Sequence, residues 1–288
     1  MEESPAGPGR VAFVLGGGGG PFGAHEVGML RALIERAIVP DLVLGTSVGA
    51  INGVAVAADP SMGGIERLTG MWSDIDRSDV FDGSVLGRLA TLARTRTHLH
   101  GNDSLRTLLA EALPVARIED LAVPFQCVAA SIERASEHWF ADGTLVDAVL
   151  ASASVPGILP PVEIGGEHFI DGGIVNSIPV SRAVELGAKH IYVLHVGRLD
   201  RPLEPPRWPW EVALVAFEIA RRHRFLGDLA ALPDGIVAHV LPTGQQDPPR
   251  FTDLSQFRYR DTSNVRDRIA GAHEASTRYL DAHGLGTA

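Results

Sequence analysis

The chain has 288 residues, 45% of them hydrophobic and 21% charged, with a formal net charge of −10. That length and composition suit one large α/β domain, and the acidic balance excludes a general nucleic-acid binder. The single cysteine, Cys127, excludes an internal disulfide and fits a reducing compartment.

The N-terminal stretch MEESPAGPGR is acidic and proline-rich, without the positive start and apolar core of a signal peptide. No apolar run approaches the length of a membrane span, so a soluble, cytoplasmic protein is expected. Lys189 is the only lysine, which together with abundant Ala and Gly hints at a GC-rich bacterial genome.

In chain order, Val11–Leu15 reads as a buried strand, an apolar run stopped by glycine. Five consecutive glycines follow, Gly16–Gly20, then Pro21 and a helix over 22–37 with Val27, Leu30, Leu33, Ile34 and Ala37 on one face. Glycine is costly to order, so such a run implies a close backbone approach or dihedrals closed to other residues. At a helix N-terminus its N–H groups can hold negative charge, either a phosphate or the oxyanion of acyl transfer. Gly18-x-Gly20-x-x-Gly23 matches the dinucleotide fingerprint, which also requires an acidic residue at the end of the second strand. Here the second strand runs into Gly45-Thr46-Ser47, and Asp41 precedes it.

Gly45-Thr46-Ser47-Val48-Gly49 is a G-x-S-x-G between a strand near 42–46 and a helix near 48–58. A nucleophile on a sharp strand-to-helix turn needs small neighbours, so Ser47 is a candidate nucleophile. The alternative is a serine N-cap. Parallel neighbouring strands would bring the glycine run and Ser47 to one sheet edge, which makes the run an oxyanion hole facing Ser47. Further strands are expected near 124–131, 137–141, 162–164, 168–170, 190–196 and 236–241. Further helices are expected near 63–72, 104–112, 144–152, 180–187, 210–231 and 262–283. This alternation predicts a mostly parallel sheet with helices on both faces. Residues 75–103 read as an insertion, and 198–209 and 242–255 as proline-rich loops.

A serine nucleophile needs a base. His195, His239 and His273 are the histidines that could complete a triad in an α/β-hydrolase. Asp171, ending a short apolar strand before Gly172-Gly173, is the better candidate, with a hairpin aspartate as its structural alternative.

Four blocks in order carry a resemblance to the patatin-like phospholipases, the lipid acyl hydrolases with a Ser-Asp dyad. They are Gly16–Gly23, Gly45–Ala50, Ala151-Ser152 through Pro156, Pro160 and Pro161, and Asp171-Gly172-Gly173 with Asn176 and Pro179. The resemblance covers about residues 10–242 and implies a three-layer α/β/α domain filling 1–288. It implies Ser47 as nucleophile, Asp171 as base and N–H groups of Gly17, Gly18, Gly19 and Gly20 as the oxyanion hole. The substrate implied is a lipid or other acyl ester, with no cofactor; no metal-ligand spacing is visible. The family's usual Arg or Lys in the glycine stretch is absent, with Pro21 and Phe22 in its place. A histidine-dependent esterase and a non-catalytic lipid-binding relative are the alternatives.

Trp208 and Trp210 precede an apolar helix bearing Arg221-Arg222-His223-Arg224. Tryptophan and a basic cluster suit peripheral contact with a lipid surface; the alternative is that both tryptophans pack the helix onto the sheet.

Overall fold

The structure is a computed structural model and describes residues 9–18, 23–75, 101–196, 202–244 and 265–286. In chain order the elements are β1 (Val11–Leu15), α1 (Gly23–Glu35), β2 (Leu42–Thr46), α2 (Val48–Ala58), α3 (Met62–Ile75) and α4 (Asp103–Ala112). A short 3₁₀ turn at Ile118–Asp120 leads to β3 (Phe125–Ser131), β4 (Ser136–Phe140), α5 (Leu145–Ala153), β5 (Val162–Ile164) and β6 (Glu167–Asp171). Then come α6 (Gly173–Asn176), α7 (Val180–Glu185), β7 (His190–Leu194), α8 (Pro209–Ala230), β8 (Val237–Leu241) and α9 (Val265–Ala282).

One eight-stranded sheet forms the centre, with β8, β7, β1, β2 and β3 in parallel register. The β4, β5 and β6 pairings are antiparallel. Alternate residues of β1 enter different cores: Phe13 and Leu15 join one cluster, and Ala12 and Val14 the other. The two-residue period of a strand thereby divides its side chains between two helical layers. α1, α2, α3, α5 and α9 cover the first face, while α7 and Phe225 of α8 cover the second. This is the three-layer α/β/α arrangement expected.

The expected elements recur with small changes at their ends. α1 stops at Glu35, short of the expected 37, because Ala37 turns left-handed (φ 54°) and the Ile38 N–H reaches back to the Leu33 carbonyl. β7 ends at Leu194 and leaves His195 beyond the strand. α6 was not anticipated, because four residues carry no periodic signal. Of the expected insertion over 75–103, residues 76–100 lie outside the described residues, as does most of the 242–255 loop.

The pairing of β3 brings the functional segments together. β4 covers Cys127–Ser131 along one edge of β3. β2 pairs with Phe125–Val128 and β6 with Ala129–Ser131, so both must share the other edge, end to end. Thr46 sits opposite Val128, and Asp171 opposite the next residue, Ala129. The two strands therefore finish nose to nose on one edge, which brings together Ser47 and Asp171, 124 residues apart in sequence.

Candidate active site

The turn after β2 is shaped by its two glycines. A Cβ on Gly45 would lie 2.6 Å from the Gly49 carbonyl, and one on Gly49 would lie 2.3 Å from the Leu15 carbonyl. Ser47 between them takes φ 56° and ψ −122°, a conformation that costs a residue with a side chain on the order of 1–3 kcal/mol. It stands at the N-terminus of α2, where the helix dipole favours negative charge. The Ser47 N–H donates to Ser152 Oγ of α5 at 3.0 Å, and Thr46 Oγ1 donates to the Asn176 carbonyl at 2.9 Å.

Asp171 meets this turn from the other side. The Ser47 hydroxyl donates to Asp171 Oδ2 at 2.5 Å, and the Gly173 N–H donates to Oδ1 at 2.7 Å. The Asp171 backbone N–H donates to the Ser154 carbonyl at 2.9 Å. Gly172 is required by the approach to β3, since a Cβ there would lie 2.1 Å from the Val128 carbonyl. Ser47 and Asp171 are both buried, at 8% and 6% exposure. Burial lifts the Asp171 carboxyl from 3.8 to about 6, against the opposing hydrogen bonds from Ser47 and Gly173. A carboxylate so placed can take the serine proton.

The glycine run leaves β1 against this pair. The Gly16 N–H donates to the Leu194 carbonyl at 2.8 Å and the Gly17 N–H to the Ser177 carbonyl at 2.7 Å. A Cβ on Gly17 would lie 3.5 Å from Ser47 Cβ, so the loop does run along the serine. The Gly17 N–H is spent on Ser177, however, which moves the oxyanion reading onto the glycines after it. Gly18 is described and would place a Cβ 1.9 Å from Val196 Cγ2; Gly19, Gly20, Pro21 and Phe22 lie outside the described residues.

Behind the loop lies a cluster of buried polar groups. Asn52 of α2 donates to the Gly23 carbonyl at 2.9 Å and to Glu26 Oε2 at 2.7 Å, and accepts from Trp72 Nε1 at 2.8 Å. Glu26 is fully buried in α1, and burial pushes its carboxyl well above the usual carboxylate range, opposed first by the hydrogen bond from Asn52. Arg221 of α8 donates to the Gly17 carbonyl at 3.1 Å. Glu26 belongs to no motif in the sequence, and the basic run that contains Arg221 does not say what that residue touches.

The three histidines have other surroundings. His239 stacks on Tyr192 with centroids 5.3 Å apart, and its Nδ1 is 3.4 Å from the Tyr279 hydroxyl. His273 Nε2 is 2.6 Å from Glu35. His195 is buried beside Gly16 and Phe225, and desolvation, aided by Arg221 and Arg222, holds it well below the ordinary histidine range. Cys127 is buried in β3, and burial alone raises its thiol beyond the range where a thiolate forms. Among the described residues, no group of three or more His, Cys, Asp or Glu is placed to hold a metal ion.

Two arginines of the α8 basic run are turned inward. Arg221 and Arg222 both bind Glu218, with side-chain exposures of 7%, 15% and 2%. Arg224 binds Glu137 at 3.1 Å and the Val175 carbonyl at 2.6 Å. Trp208 is exposed, as are Val212, Ile219 and Leu226 at seven-residue spacing along the same helix. Among the described residues, no helix is long and apolar enough to cross a membrane.

The chain is 31% identical over 192 residues to patatin-like phospholipase domain-containing protein 7 of Rattus norvegicus, covering 66% of this chain and 14% of that protein. It is 31% identical over 198 residues to lysophospholipase NTE1 of Mycosarcoma maydis, covering 66% of this chain and 10% of that protein. The chain thus spans no more than 14% of the length of either relative. VipD from Legionella pneumophila, a solved structure, aligns over 98% of this chain and 70% of that one, with 15% identity and a TM-score of 0.43. The family pattern described as patatin-like phospholipase matches residues 13–184, a span that holds both Ser47 and Asp171. The chain belongs to the patatin-like phospholipase family.

Proposed function

We propose that this chain hydrolyses lipid acyl esters, of phospholipid or lysophospholipid type, with Ser47 as nucleophile and Asp171 as its base. The observation that carries the reading is the buried 2.5 Å hydrogen bond from the Ser47 hydroxyl to Asp171 Oδ2. The names of the relatives, a phospholipase domain protein and a lysophospholipase, support the substrate class.

Asp171 accepts the Ser47 proton as Oγ attacks the acyl carbonyl. N–H groups of Gly18, Gly19 and Gly20 hold the tetrahedral oxyanion, aided by the N-terminus of α2. Asp171 then protonates the leaving alcohol, and the acyl-enzyme is hydrolysed by water that Asp171 activates. A carboxyl with a pKa raised to about 6 is a stronger base than free aspartate and still ionised at neutral pH. Contact with a lipid surface is assigned to the exposed apolar stripe of Trp208, Val212, Ile219 and Leu226 rather than to the arginines.

The test is a panel of nitrophenyl esters of increasing chain length beside diacyl and lysophospholipids, with wild type, Ser47→Ala and Asp171→Asn. Hydrolysis by wild type and loss of several orders of magnitude in both variants is expected. Full activity in Asp171→Asn together with loss in His195→Ala, His239→Ala or His273→Ala would transfer the base to a histidine. A wild type that cleaves no ester would point to a lipid-binding protein instead.

A further inference from the structure

We propose that Arg221 is a positioning residue for the oxyanion loop: its guanidinium fixes and polarises the peptide whose N–H belongs to Gly18. The inference rests on the Ser47–Asp171 reading and extends it to a residue 204 positions from the loop.

Arg221 uses its whole fork. Nε and Nη2 donate to the two oxygens of Glu218, each at 2.8 Å, and Nη1 donates to the Gly17 carbonyl at 3.1 Å. Arg222 Nε adds a third bond to Glu218 at 2.7 Å. Two guanidinium groups share one carboxylate, so the cluster keeps one net positive charge. It lies inside the protein, where that charge is screened little. The planar guanidinium is aimed by the bidentate grip of Glu218, which leaves little freedom for Nη1.

The target of Nη1 is what gives this contact chemical meaning. The Gly17 carbonyl and the Gly18 N–H are two ends of one peptide group. Every described peptide bond is trans, so fixing the oxygen towards Arg221 fixes the N–H on the opposite side. A cationic donor on the carbonyl also draws electron density from the amide and strengthens its N–H as a donor. The preceding peptide is held separately, by the Gly17 N–H on the Ser177 carbonyl. Glycine at these positions cannot set its own dihedrals, so the loop needs outside restraints to be preorganised. The sequence Gly16–Gly23 has no cation of its own, and α8 supplies one. Fastening of α8 does not depend on this contact. Phe225 is buried in the second core, and Arg224 binds Val175 and Glu137.

The experiment compares Arg221→Met and Arg221→Lys with Arg224→Met, which loosens the same helix at Val175 and Glu137 while leaving Glu218 and Gly17 alone. Turnover of a soluble nitrophenyl ester is measured with the affinity for an alkylboronic acid, whose tetrahedral adduct mimics the oxyanion. Arg221→Met is expected to lower kcat about tenfold or more, short of the roughly 100-fold cost of deleting a donor outright, with KM within about twofold. Boronate affinity should fall by the same factor, and added ethylguanidinium should restore part of kcat. Arg221→Lys, which cannot grip Glu218 and Gly17 together, should fall between wild type and Arg221→Met. Arg224→Met should keep kcat and boronate affinity while losing a similar amount of thermal stability. Equal kcat and boronate affinity in Arg221→Met and Arg224→Met would overturn the proposal. If Arg221→Met does not fold, unchanged kcat and boronate affinity in Arg221→Lys would do the same. A wild type without esterase activity, or an active Ser47→Ala, would instead overturn the underlying dyad.

Discussion

Replacing Asp171 with asparagine tests activity and stability through one side chain. Folding buries this carboxyl and raises its pKa from 3.8 to about 6. A carboxyl with a raised folded-state pKa binds protons more tightly in the native state than in the unfolded chain. Its ionisation therefore costs stability, beginning above the unfolded pKa near 4 and reaching its full amount once pH passes about 6. Two units or slightly more, at 1.36 kcal/mol each, amount to about 3 kcal/mol. Asparagine cannot ionise, yet it can still accept the Gly173 N–H and bond the Ser47 hydroxyl. Asp171→Asn is thus expected to gain about 2.5 kcal/mol of this on wild type between pH 4 and pH 7.5, while losing esterase activity. Urea unfolding of both proteins at half-unit pH steps measures this, because the pH-independent cost of the substitution cancels in the difference. A stability gap that stays flat across that window would refute the burial argument, and a gap that narrows with rising pH would reverse its sign.

Four further outcomes follow from the same geometry. The pH profile of kcat/KM should rise with pH through a midpoint near 6, where Asp171 ionises; a midpoint near 4 would show a solvated base. Ser47→Gly should abolish turnover but raise stability by about 1 kcal/mol, read by thermal unfolding, since glycine accepts φ 56° without strain. Gly172→Ala should cost about 2 kcal/mol, its Cβ driven to 2.1 Å from the Val128 carbonyl, whereas Gly227→Ala in α8, with nothing within 4 Å, should gain about 0.5 kcal/mol; equal effects would discredit the packing account. Trp208→Ala combined with Ile219→Ala should weaken sedimentation with liposomes and leave turnover of a soluble short-chain ester unchanged; undiminished sedimentation would remove the apolar stripe from the lipid-contact reading.

The residues of the pair were legible because their neighbours announce them. G-x-S-x-G after an apolar strand implies a strained turn, and Asp171 before two glycines ends a strand where a backbone must pass closely. Both signals are local, as are the alternating pattern that marks the strands and the roughly 3.6-residue period that marks most helices. α6 escaped notice because one helical turn has no period. The sequence does not show where the α8 arginines point, because a run of arginines looks the same whether it meets water or a buried Glu218.

The sequence by itself determined which residue types could do chemistry and on which kind of turn they stand. It could not say that Thr46 and Asp171 would face consecutive residues of β3, because register along a shared edge depends on how β3 pairs with two segments distant from it in sequence. It likewise could not show that the Gly17 N–H is spent on Ser177 or that Arg221 reaches the Gly17 carbonyl. The raised pKa of Asp171 is also tertiary in origin: the side chain is an ordinary aspartate until the fold removes its water. Local pattern fixes backbone shape and polarity along the chain, whereas desolvation and hydrogen-bond partners exist only once distant segments have packed.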